Sequence, residues 1–66
     1  MKNTIRIERT IKNLTQEELA NKVGVSRQTI NAIEVSKYVP STIISLKIAK
    51  VLQKKMEELF LLEAFD

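Results

Sequence analysis

The chain has no cysteine, no histidine and no tryptophan, and it has only one glycine and one proline in 66 residues. Without cysteine there can be no disulfide and no thiol nucleophile, and without histidine as well the usual zinc ligands are missing. A single glycine leaves no glycine-rich loop to cradle a phosphate, so the residues for the common enzyme chemistries are absent and no cofactor is expected. No apolar run approaches the length that spans a bilayer, and the opening MKNTIRIERT has no apolar core of a leader peptide. These absences predict a soluble cytoplasmic protein with no membrane contact and no evident small-molecule ligand.

What is present is unevenly spread. All eleven Lys and Arg lie in residues 1 to 55, where the acids are Glu8, Glu17, Glu18 and Glu34, so that segment carries +7. Glu57, Glu58, Glu63 and Asp66 give the tail −4, for a net +3. A polyanion should therefore meet the front of the molecule. The length allows one domain over residues 1–66 with a small core.

The stretch from Thr15 to Glu34 organises the chain. Thr15 can cap a helix while Glu18, three residues on, reaches back to complete a capping box. Leu19, Ala20 and Val23 share one face, and Gly24 permits the left-handed turn that ends the helix. Ser26 caps a second helix at once. Ile30 and Ile33 face inward there, leaving Arg27, Gln28, Thr29, Asn31 and Ala32 outward. Two short helices joined by a tight turn, with a small Ala20 where they cross, describe a helix-turn-helix.

On these residues, and on KYVPS and LKIAKVL after them, the chain resembles the Cro/cI-type (XRE) helix-turn-helix regulators, which include the lambdoid phage repressors. The likeness runs from about Ile5 to Phe60, and the small stand-alone members are the nearest in flavour. It implies an all-α, five-helix lambda-repressor-like domain, with room for short extended terminal segments. It also implies that Arg9 of the first helix pairs with Glu34 at the end of the second helix of the motif. Gln16 matches a residue that in the family bonds a phosphate and braces the reading helix.

Elsewhere the pattern is less decisive. Thr4 to about Asn13 reads as a helix capped by Thr4 with a stripe of Ile7, Ile11 and Leu14, while Ile5 lies off the stripe and either joins the core or opens an extended segment. Val35 to Pro40 is a loop. Ser41 caps a further helix whose apolar face combines Ile43 or Ile44 with Leu46, Ile48, Ala49, Val51 and Leu52. The free N–H groups at Ser41 and Thr42 form a ready phosphate site. Gln53 to Lys55 is a link. Met56, Leu59 and Phe60, with Leu61 or Leu62, make a last helix or turn. LFLLEAF is too apolar for an exposed tail, so Leu59, Phe60, Leu61, Leu62 and Phe65 are expected to bury against a second copy, in a segment of about 56–66; the competing arrangement folds Phe65 back on its own core.

The function this predicts is recognition of double-stranded DNA by a homodimer. Gln28 offers the donor and acceptor that match the N6 and N7 edge of adenine, and Arg27 suits either the O6 and N7 edge of guanine or a phosphate. Asn31 reaches a base or the backbone, and the Thr29 methyl meets thymine. Gln16, Lys37, Tyr38, Ser41 and Thr42 would hold phosphates, with Lys12 and Lys22 weaker candidates. The rival is a protein-interaction module of the same fold, an antitoxin or bridging factor, in which DNA is secondary.

Overall fold

The computed structural model describes residues 1–66, and its order is β1 (Lys2–Asn3), α1 (Ile5–Ile11), α2 (Gln16–Val23), α3 (Arg27–Glu34), α4 (Thr42–Leu52), α5 (Met56–Leu59) and β2 (Phe60–Leu61). The central motif forms for local reasons. The Glu18 N–H donates to Thr15 Oγ1 at 3.0 Å and the Thr15 N–H to Glu18 Oε1 at 2.8 Å, so the capping box is complete. Gly24 takes φ +86°, and the N–H groups of Gly24 and Val25 both return to the Ala20 carbonyl. The Ser26 hydroxyl accepts from the Thr29 N–H at 3.1 Å and starts α3.

Three more helix ends use the same left-handed device without glycine. Asn13, Ser36 and Gln53 have φ of 57°, 62° and 56°. At each, the next N–H bonds a carbonyl five residues back: Leu14 to Arg9, Lys37 to Ala32, Lys54 to Ala49. These are Schellman closures, in which an L side chain sits where glycine would be unstrained.

The core joins Ile5, Leu19, Ala20, Val23, Ile30, Ile33, Ile48, Ala49, Leu52 and Leu59, with Leu14, Val25, Ile44, Val51, Met56 and Phe60 packed against it. Every helix contributes, and the motif lies against α4. Burying these side chains is the main force holding so short a chain together.

The first helix is rotated from the expected stripe. Ile5 is fully buried, whereas Ile7 and Ile11 are 61% and 67% exposed. Two distant ties set the rotation. The Thr4 N–H donates to the Leu59 carbonyl at 2.9 Å and the Asn3 amide to the Ile33 carbonyl at 2.8 Å, which fixes where α1 begins. Four residues after Ile5, on the same face, Arg9 then reaches Glu34. Thr4 is at the N-cap position, but its hydroxyl donates to the Glu58 carbonyl, and Asn3 Oδ1 accepts the Ile5 N–H instead.

Two further expectations are corrected. On α4, Ile43 and Leu46 point to solvent, and the buried place between them belongs to Ser45, whose hydroxyl is satisfied by the Ser41 carbonyl at 2.9 Å. At the C-terminal end the helix stops at Leu59. Phe60 and Leu61 become a strand antiparallel to β1, with Lys2 opposite Leu61 and Asn3 opposite Phe60. Leu59, expected against a partner, is fully buried in the chain's own core, and Phe60 packs beside it. The Met1 ammonium reaches Glu63 and Asp66, each at 3.3 Å, so the first and last segments lie together.

Candidate nucleic-acid interface

Ile30 and Ile33 hold one side of α3 in the core, so its opposite side must face water. Arg27, Gln28 and Asn31 are exposed there, while Thr29 and Ala32 are half-buried. The one acidic residue between Glu18 and Glu57 is Glu34. Its side chain is fully buried and ion-paired, which leaves the outward face of α3 without any exposed negative charge.

That pair braces α3 against α1. Arg9 Nε donates to Glu34 Oε2 at 2.7 Å and Arg9 Nη2 to Oε1 at 3.3 Å, a two-pronged match of guanidinium to carboxylate. The third prong, Arg9 Nη1, donates to the Leu14 carbonyl at 2.7 Å and ties down the turn between α1 and α2. Burial by itself would raise the pKa of Glu34. The hydrogen bonds from Arg9 and Gln16 and the charge of Arg9 outweigh it, and the net shift is downward, so the carboxylate stays ionised.

Gln16 connects brace and face. Its Nε2 donates to Glu34 Oε1 at 3.0 Å and to Asn31 Oδ1 at 3.2 Å, while its Oε1 accepts from Arg27 Nη1 at 3.3 Å. The structure thus gathers Arg9, Gln16, Arg27, Asn31 and Glu34 into one network. Arg6, which the sequence did not single out, joins it with Nε 3.5 Å from Glu34 Oε1. Its spacing of three from Arg9 was the signal, since residues so spaced share a helix face. A polar cleft of about 680 Å³ opens here between α1 and α3, with Arg6, Gln16, Arg27 and Asn31 among its walls.

The other expected phosphate contacts flank α3 on the far side. Lys37 and Tyr38 are exposed in the loop after it, and Thr42 is exposed at the first turn of α4. Ser41 Oγ already accepts the Ile44 N–H at 3.2 Å, so its hydroxyl serves the helix cap. Leu61, Leu62 and Phe65 remain exposed at the C-terminal end.

A helix-turn-helix family model matches residues 5–59. The chain belongs to the XRE-type helix-turn-helix family of transcription regulators. Among relatives of this family, an uncharacterized HTH-type transcriptional regulator of Methanocaldococcus jannaschii is 54% identical over 63 residues, a match spanning 96% of each chain. The P22 c2 repressor protein, solved in complex with a synthetic operator, superposes with a TM-score of 0.78 at 32% identity over 80% of both chains. The restriction-modification controller protein C.AhdI from Aeromonas hydrophila gives the same score, 0.78, at 36% identity over 85% of both. The helix-turn-helix family is one of regulators and not of enzymes. No helix of this member is long and apolar enough to cross a membrane.

Proposed function

We propose that this protein is a sequence-specific repressor that binds double-stranded DNA as a homodimer on an inverted-repeat operator. The observation that carries the reading is the outward face of α3: exposed Arg27, Gln28 and Asn31 on a helix whose only acid is buried and paired. A helix so equipped suits the major groove, where Gln28 reads adenine and Arg27 a guanine or a neighbouring phosphate. Asn31 reads one turn further along. Gln16, Lys37, Tyr38 and Thr42 set the register on the sugar-phosphate chain, which carries no sequence information itself.

The homodimer is supported by the exposed apolar end, where Leu62 and Phe65 are 81% and 80% exposed. Paired there, two reading helices would stand about one helical repeat apart, roughly 34 Å. Occupying such a site over a promoter blocks polymerase, and this is the step that represses. The test is selection of bound duplexes from a random pool, followed by titration of the winner at several salt concentrations. An inverted repeat, and affinity falling steeply as salt rises through counterion release, is the expected outcome. A pool that yields no enriched duplex refutes the reading.

A further inference from the structure

The strand β2 is paired with β1 along one side only, and that pairing decides which way its backbone points. The Thr4 N–H donates to the Leu59 carbonyl at 2.9 Å, Asn3 stands opposite Phe60, and Lys2 stands opposite Leu61. Bonded and non-bonded pairs alternate along an antiparallel ladder, so Thr4 with Leu59 and Lys2 with Leu61 are the bonded ones. The Phe60 carbonyl and the Leu62 N–H therefore point away from β1. The Phe60 N–H already donates to the Met56 carbonyl, while the Leu62 N–H meets no acceptor in the chain.

Open strand edges are ordinarily guarded by a lysine, a proline or a bulge, because their unpaired groups recruit other strands. β1 carries Lys2, but Phe60, Leu61 and Leu62 include neither a charge nor a proline. The residues that follow do not close the edge. The Glu63 N–H turns to Asp66 Oδ2 at 2.8 Å, and both carboxylates lie at the Met1 ammonium, beside β1.

We propose that β2 pairs antiparallel with β2 of a second copy, joining the two ribbons into one sheet of strand order β1, β2, β2, β1. This rests on the homodimer proposed above and names its seam. The edge is self-complementary, since its one donor and one acceptor lie two residues apart. A two-fold axis beside Leu61 then directs each Leu62 N–H to the Phe60 carbonyl of the partner copy. The same register sets Leu61 against its twin and Leu62 beside the partner's Phe60, covering two exposed leucines. Two backbone bonds fix the register and the apolar side chains supply the affinity. Packing through side chains alone would leave both backbone groups unpaired.

A chain of 66 residues can be assembled chemically with Leu62→N-methylleucine, which removes that N–H and keeps the side chain. Sedimentation equilibrium is expected to show dimerisation roughly 10- to 100-fold weaker, the loss of two backbone bonds, at unchanged helix content. In the unmodified protein the Leu62 amide proton is expected to exchange slowly where the dimer forms and fast after dilution to monomer. A methylated chain that dimerises as tightly as its parent, or a Leu62 amide that exchanges freely within the dimer, overturns the seam and leaves the homodimer and its DNA reading intact. A chain that stays monomeric at every concentration and on its operator removes this inference together with the homodimer it rests on.

Discussion

Replacing Arg9 with alanine should weaken the fold more than any surface charge can. The Glu34 side chain is fully buried, and Arg9 supplies its nearest cation through two hydrogen bonds. Removing one partner of a buried pair typically costs 3–5 kcal/mol, because a charge is left without water or counter-ion. Here Gln16 still donates to Glu34 and Arg6 stands 3.5 Å away, though Arg6 is largely exposed and screened. The low end, about 3 kcal/mol, is therefore expected. For a domain of this size that is a fall in Tm of about 12–24 °C and a large share of the total stability. Urea melts followed by circular dichroism at pH 7 read it directly.

Acid supplies an internal control. Glu34 has a pKa below its usual 4.5 in the folded protein, so its contribution is full above that value and is lost as pH falls through the lower one. The Arg9→Ala protein behaves oppositely at this site, since protonating an uncompensated carboxylate relieves it. The gap between the two proteins should thus narrow from pH 7 to pH 4. Adding Glu34→Gln to Arg9→Ala should recover part of the loss at pH 7. A loss under about 1 kcal/mol, the range of exposed pairs, or a double variant no better than the single, would refute the brace.

Three further outcomes are expected. Gln28→Ala should cost about 1–3 kcal/mol on the selected operator and little on random duplex, measured by fluorescence anisotropy; equal losses on both would contradict base reading. Leu62→Ser combined with Phe65→Ser should lower the association state in sedimentation without changing helix content, because neither side chain belongs to the monomer core. A monomer before and after would dispose of the dimer. Ser36→Gly should raise stability by about 0.5–1 kcal/mol, since a left-handed φ of 62° strains serine and not glycine. An unchanged urea midpoint would deny that strain.

The parts of this fold that the sequence displays are those decided within a few residues. Thr15 with Glu18, Gly24, and Ser26 before Ile30 and Ile33 mark two helices and their turn because caps and faces are local chemistry. The rotation of α1 was hidden. Ile7 and Ile11 make a plausible stripe, and only contacts from Asn3 to Ile33 and from Arg9 to Glu34 decide that Ile5 goes inside. Leu59 and Phe60 misled for the same reason. Apolarity signals burial but not against which surface, and the pairing of residues 2–3 with 60–61 spans almost the whole chain. Of four left-handed helix ends, only Gly24 announces itself; Asn13, Ser36 and Gln53 do not. The outward residues of α3 were legible because Ile30 and Ile33 mark its inner face, whereas the link from Gln16 to Arg27, Asn31 and Glu34 needed α2 to lie beside α3.

The amide of Gln16 bonds at once to Arg27, Asn31 and Glu34. In the proposed repressor, operator preference and thermal endurance are therefore wired through one side chain. Retuning the protein toward a new sequence by exchanging Arg27 or Asn31 will be felt at the buried carboxylate. Variants chosen for a new target would do best when screened for melting as well as for affinity.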